Sequence, residues 1–167
     1  MHKYELGIEI PGIGITTLTD ASQTLTHTKN IKYYRNINGN IAYVDKPNNK
    51  FESIITVQDS PIIMNLWTGS VVNIYSIETI NEIFNKNQTN IFHLSRIYIK
   101  NSLTIFNEKN KPIKFTELET GEIKIDDVYE KIKVSYRPIL QMIVKDFSCI
   151  STNKGFESTY KLTLEEV

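Results

Sequence analysis

Groups able to do chemistry are few and scattered in this 167-residue sequence. The three histidines are His2, His27 and His93, and none has a second histidine or a carboxylate at a ligand spacing such as i+4. Zinc or non-haem iron needs several such groups converging, so no metal site and no cofactor is expected. His93, between Phe92 and Leu94 at the start of a strand, reads as a structural histidine. The single cysteine, Cys149, cannot form an internal disulfide. Beside Ile150 in the apolar tail of a strand, it reads as a buried, inert thiol, because nothing near it in sequence would lower its pKa.

The adjacent acids Asp126-Asp127 and Glu165-Glu166 would face opposite sides of a strand, so neither pair can share one proton or flank one bond. Structural or interface charge is the expectation for both. Pro11-Gly12-Ile13-Gly14 lacks the spacing and the lysine of a phosphate loop and precedes no helix, so it reads as a turn or bulge. Asn87-Gln88-Thr89 fits the glycosylation pattern, which carries no weight without a secretory leader. Trp67, the only tryptophan, suits a core plug and an interface anchor equally well. No constellation favours catalysis, and no catalytic residue is assigned.

Composition narrows the classes further. Nineteen Lys and Arg balance nineteen Asp and Glu, so the formal net charge is zero and no footprint for nucleic acid or an anionic membrane is present. Hydrophobic residues at 40% and charged residues at 23% exclude wholesale disorder. The length suits a single domain, 1–167, with an extended segment at about 16–30 that is rich in Thr, Ser and Gln. No stretch approaches the roughly 18–20 apolar residues of a membrane span. The chain is expected to be soluble and made in a reducing cytoplasm.

The elements that would position these residues are mostly strands. Leu6, Ile8 and Ile10 alternate with Gly7 and Glu9, and Tyr160, Leu162 and Leu164 alternate with Lys161, Thr163 and Glu165, the period-two pattern of half-buried strands. Asn38-Gly39 between Ile31–Ile37 and Ile41–Val44 signals a hairpin with a type I′ turn. Lys46 to Lys50 reads as a second turn or loop, and Phe51–Val57, Val71–Tyr75, Arg96–Lys100, Leu103–Phe106, Ile139–Ile150 and Phe156–Glu166 read as strands. One short helix is expected near residues 77–85, with Ser76 as its N-cap and Ile77, Ile80, Ile83 and Phe84 on one side. The expected fold is mainly β, an antiparallel sandwich or barrel-like domain with that one helix.

Two segments carry a family resemblance. Phe51-Glu52-Ser53-Ile54-Ile55-Thr56, Asp59, Pro61 and Leu66-Trp67-Thr68-Gly69-Ser70-Val71-Val72 form one block. Tyr136-Arg137-Pro138-Ile139-Leu140-Gln141-Met142-Ile143-Val144-Lys145-Asp146-Phe147-Ser148 and Leu162-Thr163-Leu164-Glu165-Glu166-Val167 form the other. Together they resemble small ripcord-type structural proteins of the tail and baseplate of contractile-tailed bacteriophages. Arg35-Asn36-Ile37-Asn38-Gly39 is similar to their early hairpin, and Tyr160 stands where those relatives often carry tryptophan. Asn81 to Lys133 lies outside the resemblance.

The resemblance implies a non-enzymatic virion component, synthesised in the host bacterial cytoplasm. It would assemble as a multi-copy ring near the tail tube and contact tube, hub or wedge proteins, with neither nucleic acid nor membrane as a partner. Trp67, Tyr136, Arg137, Phe147, Glu165 and Glu166 are the expected interface residues. An equally weighted alternative has Tyr136-Arg137-Pro138 begin a core strand, with Arg137 satisfying a local carboxylate. Rival readings are a β-sandwich module binding a small ligand or carbohydrate and, ranked last, a hydrolase using Asp126 or Asp127 with a distant histidine.

Overall fold

The computed structural model describes residues 5–35, 37–58, 66–85, 90–118, 121–151 and 158–167, with 29–34, 41–48 and 151 described as backbone alone. Among these the chain is all β. Its strands are β1 (Leu6–Ile10), β2 (Gly14–Leu18), β3 (Ser22–Arg35), β4 (Ile41–Gln58), β5 (Val71–Tyr75), β6 (Ile80–Asn85), β7 (Ile91–Phe92), β8 (Thr104–Asn107), β9 (Phe115–Glu117), β10 (Ile123–Ile125), β11 (Lys131–Tyr136), β12 (Ile139–Ser151) and β13 (Ser158–Glu166). All pair antiparallel, in one seven-stranded sheet ordered β2-β1-β5-β12-β13-β4-β3 and two three-stranded sheets ordered β7-β10-β9 and β6-β11-β8.

Connectivity forces the large sheet to curl. β2 and β3 are its two edges, yet only Thr19, Asp20 and Ala21 join them. Four Cα steps reach about 14 Å at most, whereas seven flat strands would hold their outermost members about 29 Å apart. The sheet closes that gap by forming a half-barrel. Asp20 turns the corner at φ 57°, a left-handed conformation that Asp tolerates better than most residues.

Alternation decides what faces inward. Leu6, Ile8 and Ile10 of β1, Val72 and Ile74 of β5, Leu140, Met142 and Val144 of β12, Tyr160, Leu162 and Leu164 of β13, and Phe51, Ile55 and Val57 of β4 are all buried. Ile105, Ile123, Ile132, Val134 and Tyr136 from the smaller sheets complete the same core. Gly7 lets a neighbouring side chain pack closely against its strand. A Cβ there would come within 3.0 Å of the Tyr75 Cβ, so the tyrosine lies across the bare backbone of its neighbour strand.

The expected helix near 77–85 is a strand. Ile80 to Asn85 form β6, whose residues pair with Tyr136 to Lys131 of β11. Ile77, Ile80, Ile83 and Phe84 do fall on one side of a helical wheel, but Ile80, Glu82 and Phe84 also alternate. For a short segment rich in β-branched residues, a ladder outweighs a helix that must pay its own nucleation. Ser76, expected to cap that helix, instead places its hydroxyl 2.8 Å from Gln23 Oε1.

Lys46 to Lys50 is a second correction: these residues lie within β4, and Pro47 stands opposite Lys29 where a bulge between His27 and Lys29 shifts the register. Proline lacks an N–H to donate, and a bulge is where a strand can accept it. The Asn38-Gly39 hairpin forms, but its loop runs from Arg35 to Ile41 and only Gly39 of the pair takes positive φ, so it is not the expected two-residue type I′ turn. Arg96–Lys100 forms no strand and makes a single bridge, Tyr98 to Pro138.

Candidate functional site

The curl of the large sheet leaves a cleft of about 700 Å³ between β3 and β6. Leu25 and His27 line one wall, Glu78 to Phe84 the other, and Asn49, Phe51, Ser95 and Arg96 close one end. β3 runs past β6 because Gln23, buried on β3, staples the two regions together. Its Oε1 accepts from Ser76 Oγ and from the Ile77 N–H, both at 2.8 Å, while its Nε2 donates to Ser53 Oγ at 3.0 Å.

A chain of charge-assisted bonds crosses the closed end. Arg96 Nε donates to Glu166 Oε1 at 2.8 Å and Nη2 to Glu166 Oε2 at 3.0 Å, a two-pronged pair. Nη2 also donates to the Asn49 carbonyl. The guanidinium carbon sits 4.7 Å from the centre of the Phe51 ring, whose backbone N–H donates to Glu166 Oε2 at 2.8 Å. From Arg96 Nη1 the chain continues to Ser95 Oγ at 3.1 Å, and the Ser95 hydroxyl and the Tyr136 hydroxyl both donate to Glu82 Oε1.

The electrostatic consequences follow from these partners. Burial, followed by its bond to Glu82, holds the Tyr136 phenol far above the usual tyrosine range. Burial works against the Arg96 charge, but the hydrogen bond to Glu166, the charge of Glu166 and the nearby Tyr136 and Glu82 together outweigh it and raise its pKa. Each carboxylate and the guanidinium is thus already engaged with protein groups. This network suits a rigid brace better than an acid–base pair, which needs a group near its working protonation.

The sequence-derived site residues divide sharply. Trp67 is 71% exposed, so the core-plug reading is corrected: it crowns the turn before β5, where Gly69 N–H donates to Val144 O at 2.8 Å. Glu165 is also at the surface, 2.9 Å from Lys145 Nζ. Tyr136, at 0% exposure, and Arg137, at 8%, belong to the interior, which corrects their placement at an interface. Arg137 Nε donates to Ser76 O at 2.6 Å and Nη2 to Glu5 O at 2.9 Å, tying β11 to the start of the chain and the end of β5. Glu166 is the partner of Arg96, and Phe147, half-buried, stacks on Tyr160 with ring centres 6.0 Å apart. Both serve internal packing.

Cys149 is exposed, not buried, because β12 has there run beyond its pairing with β5, which ends at Ile143. His93 is exposed and lies 2.9 Å from Glu122 Oε1. Asp126 and Asp127 are exposed and do not line the cleft. Pro11 to Gly14 is the β1–β2 turn, with Gly12 and Gly14 at positive φ. His2 and Asn87-Gln88-Thr89 lie outside the described residues. Among the described residues, no three His, Cys, Asp or Glu side chains converge as a metal site would require.

No known protein-family model matches this chain. No curated protein shows significant similarity to it.

Proposed function

We propose that this chain is a structural, non-enzymatic subunit of the tail or baseplate of a contractile-tailed phage, or of a phage-derived particle, built into a multi-copy ring near the tail tube. The observation that carries this reading is the far half of the β3–β4 hairpin. β13 accompanies β4 only from Glu52 to Gln58, whereas β3 and β4 continue to pair with each other from Lys29↔Pro47 to Arg35↔Ile41. Among the described residues no third strand joins that stretch. A two-stranded ribbon with no sheet beside it is marginal alone and gains stability from a partner.

An apolar rim adds to this. Ile13, Ile15, Trp67 and Val71 are all exposed. The turns bearing Ile13 and Trp67 share one end of the sheet, because β1 ends at Ile10 beside β5, which starts at Val71. Exposed apolar groups clustered at an edge favour a protein partner over nucleic acid. The phage assignment itself rests on the resemblance at Tyr136–Ser148 and Leu162–Val167. Mass spectrometry of purified particles tests it: the chain in a fixed multiple of a known tail protein supports the reading, and its absence from particles made in cells that express it overturns the reading.

One observation favours the ligand-binding alternative. The cleft offers a ring surface where His27 lies 4.2 Å from Phe51. Glycan-array binding that is lost in His27→Ala, together with absence from particles, would select that module instead.

A further inference from the structure

We infer that the β3–β4 arm of one copy lies as an added strand in the cleft of a second copy. This rests on the multi-copy part of the reading above and names its first partner as the chain itself. The cleft separates two sheet edges, β3 on one wall and β6 on the other. Each is the last strand of its sheet, so its outward backbone groups meet no further strand among the described residues. Such edges accept an extended segment readily.

Length and charge both fit the arm. Lys29 to Arg35 extends about 23 Å and β6 about 20 Å at the usual rise per residue. From Lys29 to Pro47 the sequence holds Lys29, Lys32, Arg35 and Lys46 against Asp45 alone, a net charge of +3. The remainder then holds fifteen basic and eighteen acidic residues, a net charge of −3, so the overall neutrality conceals a basic arm on an acidic body. At the cleft, Glu78, Glu82 and the adjoining Glu166 outnumber Arg96. Opposite charge of this kind sets the partner and the register.

The arm cannot fill its own cleft. It begins at the cleft's rim, just past His27 and before Asn49, and continues the pairing of β3 with β4 beyond those two residues. Doubling back would break the ladder that forms it. Arm into cleft is therefore a contact between two different surfaces, which repeats around a ring when the rotation closes and along a filament when it does not.

The test uses the full chain, mixed as unlabelled and nitrogen-15-labelled copies and treated with a carbodiimide that joins lysine to carboxylate without a spacer. Mixed-isotope peptides linking Lys29, Lys32 or Lys46 to Glu78 or Glu82 are expected. Assemblies whose mixed-isotope links join only other segments would overturn the inference while leaving the multi-copy reading intact. A chain that stays monomeric up to its solubility limit would overturn it as well, and particle mass spectrometry still judges the tail assignment separately. The arm variant Lys32→Glu/Arg35→Glu and the cleft variant Glu78→Lys should each weaken self-association about tenfold or more, and mixing the two should restore it. Variants that keep their β circular dichroism and associate like the parent would refute the arm–cleft contact.

Discussion

Arg96 and Glu166, 70 residues apart, meet in a two-pronged ion pair with bonds of 2.8 and 3.0 Å that closes one end of the cleft. Only about one-sixth of either side chain is exposed (16% and 15%), so solvent screens the pair weakly. Removing one partner strands the other charge in a half-buried site. Arg96→Ala or Glu166→Gln should each cost about 2–3 kcal/mol in urea unfolding. The double variant should cost less than the sum of the two, because the pair acts as one unit.

Tyr136 and Glu82 are the second joint of the same brace. Tyr136→Phe removes a bond to a carboxylate and should cost about 1.5–3 kcal/mol. The pH dependence has a fixed sign. The folded phenol titrates above its unfolded value of about 10, so its contribution is complete below that pH and is lost as the pH rises through the folded value. Tyr98, pushed up to about 12 by burial and then by its bond to Glu117, acts in the same direction. The urea midpoint of the parent should hold steady to about pH 10 and then fall, and should fall less steeply in Tyr136→Phe.

Trp67 provides a direct optical reading, since it is the only tryptophan and stands in water. Emission from the isolated chain should be that of a solvated indole, shifting to shorter wavelength as partners cover the rim. Trp67→Ala should change folding stability by no more than about 0.5 kcal/mol, yet weaken assembly.

Replacing residues 29–47 by a short turn should leave the body folded, since β13 supports β4 only from Glu52 onward. Far-ultraviolet circular dichroism and cooperative unfolding should persist. Self-association, followed by sedimentation, should be lost.

The strands were legible wherever burial is one-sided. Leu6 to Ile10 and Tyr160 to Glu165 keep strict alternation because one face of each meets the core, and Asn38-Gly39 marks its hairpin because glycine accepts positive φ. The segment 16–30, expected to be extended, contains most of β2 and most of β3, the two sheet edges. Reading failed where a local pattern served two structures. Ile80 to Phe84 fits a helical face and a strand face alike, and only β11, some fifty residues away, decides between them.

The site was less legible than the fold. Gln23, Glu82, Ser95 and Arg96 carry no local signature, because their meaning lies in partners brought from Ser76, Tyr136 and Glu166 by the curl of the sheet. The polarity of Tyr136-Arg137 pointed outward to a partner, whereas the fold satisfies both side chains internally. The basic arm was visible in the order of residues, but whole-chain neutrality masked it.

Cryo-electron microscopy of intact tailed particles purified from cells that make this chain is the most direct measurement of the proposed role. The half-barrel should fit repeated density in a ring beside the tail tube, with each β3–β4 ribbon reaching its neighbour. Particles whose tail and baseplate density is fully accounted for by other proteins, with no place for this fold, would contradict the account.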